Sequence, residues 1–422
     1  MSNNTRLAIL VAALGYFVDV YDLILFTILR VPSLTELGFS GDQLVSQGSY
    51  LLNMQMGGFL VGGVVWGIIG DKVGRIELLF GSILLYSIGN ILNSFVGQVD
   101  AANAVMSPIN QYALLRLITG FGLAGEIGGG ITLVSELLPK EARGYGTTVV
   151  VATGVAGAVA AAFVYQFLTW RTAYVVGGVL GLLLLALRMS VAESGVFTAL
   201  SEKQHIPRGN FLMLFTSKDR AMRYINSILV GLPIWFSLGL MVTFSPEIAK
   251  ALGVVEPIVT PTSVFWFYSG ITLGSVANGL LSQALKSRKL AVGFFLVGTI
   301  VAQGAIFHGG ITTSQSFYTL VAVLGFATAY WAMVVTLAAE QFGTNLRATV
   351  ATSVPNFVRG ATVPMTMLFT LFKPTQGIVN SAEIVGLLAA ALALFSLGML
   401  RETFGIDLDY VEDDAEAAKQ KV

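Results

Sequence analysis

The chain contains no cysteine, only two histidines, and few charged residues. Without cysteine it can form neither a disulfide framework nor a thiolate metal site. His205 and His308 lie too far apart in the sequence to predict a metal cluster. Charged residues make up 11% of the chain, against about 25% in soluble domains. These absences exclude an ordinary soluble domain and a disulfide-stabilised or zinc-binding one.

The motifs of common enzymes are missing as well. The sequence has no H-E-x-x-H pattern, no Ser–His pair and no nucleotide-binding loop. The glycine run 128–130 follows no predicted strand, so it does not indicate a phosphate loop. We therefore predict that the protein is not an enzyme, and that it uses no cofactor, no metal and no nucleic-acid partner.

Apolar segments dominate what is present. Hydrophobic residues make up 55% of the chain and the mean hydropathy is +0.77. Segments of about 20 apolar residues match the thickness of a bilayer. We predict an all-α membrane protein with twelve transmembrane helices, at 7–29, 47–69, 77–97, 109–137, 144–168, 171–190, 222–245, 262–284, 290–308, 316–339, 348–371 and 381–400.

Basic residues predict the orientation of these segments, because cytoplasmic loops are enriched in Lys and Arg. With the N-terminus inside, only four of the 24 basic residues fall in outer loops, namely Arg30, Arg171, Lys250 and Lys373. Both termini are therefore predicted to be cytoplasmic. The first segment is too long and too acidic for a cleaved signal peptide. The short outer loops without glycosylation sequons, together with the absence of cysteine, favour a bacterial inner membrane.

The chain also predicts two repeated halves. A six-helix half at 1–190 and another at 221–401 are joined by a polar cytoplasmic linker at 191–220. The acidic tail, 402–422, is predicted to be disordered and cytoplasmic. Glu and Arg stand seven residues apart after the fourth segment and again after the tenth, in the pairs Glu136–Arg143 and Glu340–Arg347. Repeated halves favour a transporter whose site lies between them near the midplane.

These loops resemble those of the major facilitator superfamily. The stretch 67–75, GIIGDKVGR, resembles the superfamily's G-x-x-x-D-x-x-G-R signature, and the Glu–Arg loops resemble its E-x-x-P-x-x-x-R-G element. The stretch 116–122, RLITGFG, is similar to its fourth-helix R-x-x-x-G motif. The resemblance covers the whole chain and implies a transporter that works by alternating access.

Two further motifs resemble particular subgroups. The stretch 15–22, GYFVDVYD, is similar to the first-helix D-x-Y-D pattern of phosphate:proton, aromatic-acid:proton and metabolite:proton symporters. The stretch 125–128, GEIG, resembles the acidic fourth-helix position of the same groups. The fifth segment lacks the Gly-Pro element of drug:proton antiporters, which argues against multidrug export. The sequence does not identify the solute.

Charged residues inside the segments indicate the coupling chemistry. An aspartate at the bilayer centre costs roughly 2.5–3.5 kcal/mol or more, so it normally faces protein or water. Asp19, Asp22 and Glu126 stand against Arg116 and Arg359, which leaves one carboxylate in excess. Depth in the membrane pairs Asp22 with Arg116. Asp19 and Glu126 are then the predicted proton carriers, and helix-packing carboxylates are the alternative.

Arg359 lies halfway along the eleventh segment and predicts the substrate class. Its guanidinium suits a carboxylate or phosphate, so we expect a small organic anion or zwitterion. The alternative is that Arg359 only pairs with Asp19. The side chains expected to contact the organic body are Tyr16, Tyr21, Trp235, Tyr330, Trp331 and Asn356.

The repeated loops are predicted to act as gates. Glycines allow helices to approach closely, and the loop charges can pair with one another and with helix ends. A cluster that only fixes topology is the alternative. The predicted gating residues are Gly67, Asp71, Gly74, Arg75, Glu136, Arg143, Glu340 and Arg347.

The sequence thus predicts a proton-coupled symporter that takes up a small organic anion or zwitterion. It would lie in the lipid bilayer of the inner membrane, as a monomer, with protons and a small-molecule substrate as its partners. An exporter or antiporter, or a facilitated uniporter of a neutral or cationic solute, is the alternative. Direction of transport and stoichiometry stay open.

Overall fold

The structure, a computed structural model, describes residues 3–72, 75–98, 105–126, 143–193, 211–405 and 411–412. Within these ranges it describes no side chains for 3–9, 68, 70–72, 75–77, 143–152, 190–193, 344 and 348. All regular structure in the described ranges is helical. The chain divides into two compact units, Met1–His205 and Ile206–Val422. The domain limits predicted from the sequence stay a prediction.

Six helices form the described part of the first unit. They are α1 (Asn3–Glu36), α2 (Asp42–Lys72), α3 (Arg75–Asn93), α4 (Pro108–Leu123), α5 (Arg143–Val164) and α6 (Trp170–Glu193). Each coincides with one of the first six apolar segments. The first helix continues beyond the predicted end at residue 29, so Arg30 lies inside α1 rather than in an outer loop. Arg30 is fully buried and donates to the carbonyl of Leu44 at 3.0 Å.

The second unit has nine described α-helices because several membrane segments are interrupted. They are α7 (Lys218–Val230), α8 (Leu232–Phe236), α9 (Ser245–Ala251), α10 (Thr260–Leu285), α11 (Arg288–His308), α12 (Ser314–Ala327), α13 (Trp331–Glu340), α14 (Thr344–Gly360) and α15 (Thr362–Met399). A π-helical turn, Ser237–Val242, follows α8. Gly377, at φ 74°, breaks α15 into two parts, as the predicted boundary between the last two segments requires.

Seven helical stretches in the described ranges are long and apolar enough to cross a membrane. The remaining predicted segments are shorter, more polar, or lie partly outside those ranges. Together the helices correspond to twelve membrane segments, which confirms the all-α membrane fold.

The two units share a packing motif that the sequence analysis missed. In the first unit, Gly58 and Gly62 of α2 lie against the backbone of α4; in the second, Gly270 and Gly274 of α10 lie against the backbone of α12. Any side chain at these glycines would collide with a carbonyl oxygen, so both pairs act as small-xxx-small contacts. The same spacing at equivalent places supports the internal repeat.

The start of the tail is better ordered than its acidic composition suggested. Glu412 pairs with Arg223 at 2.9 Å and accepts from the backbone N–H of Gly343 at 3.4 Å. Glu402 accepts from the N–H of Arg288 at 2.8 Å and thereby caps the start of α11. The sequence predicted a solvated tail, and this is wrong for these two acids: both are partly buried, because basic and backbone donors of the second unit face them. Residues 406–410 and 413–422 lie outside the described ranges.

Candidate functional site

The acids of α1 lie deep inside the first unit. Asp22 is fully buried and Asp19 is 6% exposed. Gly177 of α6 makes room for Asp22, because a Cβ there would overlap the Oδ1 atom. Neither oxygen of Asp22 has a hydrogen-bond partner among the described residues. Buried carboxylates without partners are rare in folded proteins, so this arrangement marks Asp22 as a candidate functional group.

Arg116 of α4 is the main positive charge acting on Asp22. Its guanidinium is fully buried and lies over the rings of Phe26 at 5.2 Å and Tyr174 at 5.5 Å. No hydrogen bond joins it to Asp22 within the described part of the chain. Asp22 and Arg116 are therefore neighbours in one buried site, but they do not form a direct ion pair.

Glu126 has a direct partner that the sequence analysis missed. Its carboxylate forms a buried ion pair with Arg188 of α6. Gly15 of α1 makes room for both, because a Cβ there would overlap the Arg188 guanidinium. The sequence analysis used Arg188 only as one of the basic residues that indicate the cytoplasmic side and did not include it among the buried charges. The position of Arg188 inside the predicted segment 171–190 was the signal that could have identified it.

This pair changes the charge balance predicted for the membrane. Apart from Arg30, the buried charges in the described part of the first unit are three acids, Asp19, Asp22 and Glu126, and two arginines, Arg116 and Arg188. Among these five residues one carboxylate is in excess, now without counting Arg359. Arg30 lies about two helical turns from Asp22 along α1, and its guanidinium donates a hydrogen bond to the carbonyl of Leu44.

The two tyrosines predicted on α1 contact neighbouring helices of the same unit. Tyr21 is buried and donates to the carbonyl of Ala173 at 3.4 Å. Tyr16 is half-buried, and its ring faces Gly154 of α5, where a Cβ would overlap it. Both residues are therefore packed between helices, and their role in substrate binding stays a prediction.

In the second unit, Arg359 of α14 lies beside two tryptophans that also contact each other. Its guanidinium is 5.4 Å from the ring centre of Trp235 and 5.8 Å from that of Trp331. The rings themselves are 6.4 Å apart at 68°. Stacking of this kind holds a guanidinium while its N–H edge can bind a carboxylate. The structure thus brings together three of the predicted substrate residues.

Two other predicted substrate residues, Asn356 and Tyr330, lie close in the sequence to Arg359 and Trp331. Asn356 is fully buried one helical turn before Arg359. Tyr330 is fully buried and donates to the carbonyl of Val230 at 3.5 Å, so its hydroxyl serves helix packing. Trp235 lies in α8, and only Phe236 separates it from the π-helical turn Ser237–Val242; such turns are frequent at functional sites.

Most side chains of the predicted gate of the first unit lie outside the part of the chain that the structure describes. Gly74 and Glu136 fall outside the described residues, and Asp71, Arg75 and Arg143 are described only as backbone. Gly67 is described, and a Cβ there would meet no described atom within 4 Å. The close helix approach predicted at Gly67 is therefore not observed.

The corresponding loops of the second unit are described. Glu340 pairs with Arg288 at 3.5 Å and accepts from the hydroxyl of Thr403 at 2.6 Å. Arg347 donates to the carbonyl of Phe342 at 3.4 Å. Arg288 follows the eighth apolar segment, as the 67–75 loop follows the second. A cation after the eighth segment therefore meets the glutamate that follows the tenth. An equivalent contact between Arg75 and Glu136 stays a prediction.

Comparison with known proteins agrees with this architecture. The putative niacin/nicotinamide transporter NiaP of Bacillus subtilis is 25% identical, over 80% of this chain and 81% of that protein. The 3-(3-hydroxy-phenyl)propionate transporter of Escherichia coli is 28% identical, over 84% and 87%. The inward-open, partially occluded xylose transporter XylE of E. coli has the same fold, with a TM-score of 0.69 at 17% identity, over 96% and 100%.

The family follows from the extent of the match. Residues 8–363 match the Major Facilitator Superfamily. The similar proteins are transporters and not enzymes, which confirms the resemblance of the loops and of the first and fourth helices. The chain is therefore a multi-pass membrane transporter that belongs to the Major Facilitator Superfamily.

Proposed function

We propose that the protein is a proton-coupled symporter that takes up a small organic anion or zwitterion by alternating access. The observation that carries this proposal is the buried arrangement of Asp22 and Arg116, in which the carboxylate has no hydrogen-bond partner among the described residues. A carboxylate beside an arginine in a low-dielectric site can bind and release a proton without a permanent charge imbalance.

The ion pair between Glu126 and Arg188 changes which acids carry the proton. A carboxylate held by a direct guanidinium contact is a poor proton acceptor, because protonation would leave the guanidinium unpaired in the interior. We assign proton binding to Asp22 and Asp19, with Arg116 as the residue whose charge tunes them. Glu126 and Arg188 then stay charged. They form a second level of buried charge, separate from the level of Asp22 and Arg116.

Arg359 supports the substrate class. A guanidinium beside the rings of Trp235 and Trp331 combines a fork for a carboxylate with aromatic surfaces for an organic body. Two similar transporters are named for niacin and for 3-(3-hydroxyphenyl)propionate, and both compounds can carry a carboxylate on an aromatic ring or its side chain. We therefore infer an aromatic or similarly flat carboxylate.

Location and assembly are part of the proposal. The distribution of basic residues supports cytoplasmic termini, and the kind of relatives found supports a bacterial inner membrane. We expect a monomer, because repeated halves already supply both parts of an alternating-access transporter within one chain.

Uptake into proteoliposomes tests the proposal. Vesicles that contain a pH-sensitive dye receive niacin, 3-(3-hydroxyphenyl)propionate or D-xylose from outside, with an imposed inward proton gradient. Symport predicts accumulation of an acid together with acidification of the lumen. Alkalinisation of the lumen during uptake would indicate antiport, and uptake without proton movement would indicate a uniporter. Transport of D-xylose but of neither acid would show that the substrate is a neutral solute rather than an anion.

A further inference from the structure

One face of α3 carries buried polar groups that neither the sequence analysis nor the proposed function used. Ser82, Tyr86 and Asn90 are four residues apart, so they line one side of the helix. All three are fully buried. The Ser82 and Tyr86 hydroxyls and both amide atoms of Asn90 have no hydrogen-bond partner in the part of the protein that the structure describes.

Unpartnered groups of this kind point to a ligand. More than nine in ten buried polar groups in proteins are hydrogen-bonded, and bound water supplies the bond where protein groups do not. Four orphaned polar atoms in a row could be satisfied by a chain of water molecules, each of which needs two or more polar neighbours. This polar face of α3 therefore has the composition of a hydrated path through an otherwise apolar bundle.

The packing of α6 shows where this path runs. Gly177 of α6 lies against Asp22, and Gly181 lies against the Tyr86 ring, 2.9 Å from Cε2 if a Cβ were present. Arg188, further along α6, binds Glu126. At about 1.5 Å per residue, Tyr86 is about 6 Å beyond the Asp22 level and about 10 Å before the Arg188 level. The tyrosine thus lies between the two charged levels.

The packing of α4 gives the same order independently. Gly122 lies against the backbone of Tyr86, and Gly125 lies against Ser82, whose Oγ would be 3.0 Å from a Cβ at that position. Glu126 follows directly. Tyr86 is therefore one helical turn of α4 away from Glu126, and Ser82 lies at nearly the same level as this acid.

Charges from three helices act on the Tyr86 hydroxyl. They are Glu126 after α4, Asp19 and Asp22 on α1, and Arg188 on α6. Arg116 completes the set of buried charges in the described part of this unit near Asp22.

We propose that Tyr86, together with Ser82 and Asn90, holds bound water and so connects Asp22 with the level of the Glu126–Arg188 pair. The proton moves by a balanced exchange. The Tyr86 oxygen accepts a proton from the water on one side while its own proton passes to the water on the other, so the tyrosine is unchanged. This inference rests on the proposed proton coupling, because it gives Asp22 a route for exchange within the first unit.

Hydroxyl-radical labelling of the purified wild-type protein tests for the water. Radicals formed from bound water oxidise the side chains beside it. Tyr112 and Tyr174 are matched controls, since both are fully buried in the same unit but bond each other at 2.7 Å. We expect Tyr86 to be oxidised at least several-fold faster than either. Equal, slow oxidation of all three would overturn the proposal.

Hydrogen–deuterium exchange of the buried carboxyl groups, followed by infrared spectroscopy, tests the path. Y86F removes only the unpartnered hydroxyl and should fold. We expect carboxyl exchange to slow by about tenfold, because one hydrogen bond in a transfer path changes a rate by a factor of this order. Y224F, which removes a hydroxyl bonded to Ser353 at 2.8 Å in the other unit, should leave it unchanged.

Two further variants separate this inference from the proposed function. D22N and D19N identify the exchanging carboxyl bands of the two proposed proton sites. If neither variant removes a band, the proposed proton sites are wrong and this inference falls with them. If D22N removes a band but Y86F exchanges at the wild-type rate, only the role of Tyr86 is wrong.

Discussion

Glu126 and Arg188 form a buried ion pair that joins the end of α4 to α6 in the first unit. Both side chains are almost completely inaccessible, at 2% and 7% exposure. Burial of two charges is costly, and only their mutual contact offsets this cost. The pair therefore makes the fold of the first unit depend on both residues at once.

Removing one member of this pair should be more harmful than removing both. We expect Arg188→Met to destabilise the protein by about 3–5 kcal/mol, because Glu126 is left as an unpaired buried charge. The double variant Glu126→Gln with Arg188→Met should recover most of this loss. Thermal unfolding of the purified proteins in detergent measures both. Additive losses in the double variant would show that the pair is not coupled.

The space for Asp22 is tested by a single methyl group. Gly177→Ala places a Cβ on the Asp22 carboxylate, so we expect lower stability and loss of proton-driven uptake. Gly57→Ala in α2 is the matched control, because no described atom lies within 4 Å of its Cβ position. The control should be neutral or slightly stabilising, since alanine favours a helix by about 1 kcal/mol. Equal effects at the two positions would contradict the assigned contact.

Arg359→Lys keeps the positive charge and removes the planar fork that lies beside Trp235 and Trp331. If Arg359 binds a substrate carboxylate, affinity for the transported acid should fall by more than tenfold, or about 1.4 kcal/mol, while the melting temperature of the substrate-free protein holds. Ligand-induced thermal shifts with niacin and 3-(3-hydroxyphenyl)propionate measure this. Arg220→Lys, at another buried arginine of the second unit, is the control. Unchanged affinity for a bound acid would favour a neutral or cationic solute.

Glu402 should give the second unit a defined acid sensitivity. Partial burial of Glu402 raises its pKa. Hydrogen bonds from the Ser287 hydroxyl and from the N–H groups of Arg288, Phe404 and Lys289 outweigh this effect, so the pKa of Glu402 lies below its ordinary value of 4.5. A lowered folded-state pKa contributes stability above the unfolded pKa, and this contribution is lost as the pH falls through the folded one. Wild type should therefore lose melting temperature below about pH 4.5 more steeply than Glu402→Gln. Parallel curves would contradict this.

The sequence identified the helices and the most isolated charges. Apolar runs of membrane length are hard to mistake, and Asp22 and Arg116 stand out because no other polar feature explains them there. Arg188 was missed because a cation within one turn of a segment end looks like a loop cation. Tyr86 and Asn90 were missed because neither is polar enough to interrupt an apolar run.

Contacts between distant parts of the chain were also beyond prediction. Glu412 and Arg223 are 189 positions apart, and an acidic tail by itself indicates solvation and disorder. Likewise, Trp235 and Trp331 could be named as candidates, but only the folded second unit places both of them beside Arg359. Spacing along one helix can be read from a sequence, whereas packing between helices depends on the shapes of all side chains in between.

Proton-driven accumulation in proteoliposomes tests the central claim most directly. Wild type and the amide variants Asp19→Asn, Asp22→Asn and Glu126→Gln receive the transported acid under an imposed proton gradient, and counterflow exchange without a gradient is measured in parallel. The account predicts that Asp22→Asn loses accumulation but retains exchange, because exchange requires no net proton transfer. Accumulation by all three amide variants at wild-type levels, with no other ion gradient present, would contradict it.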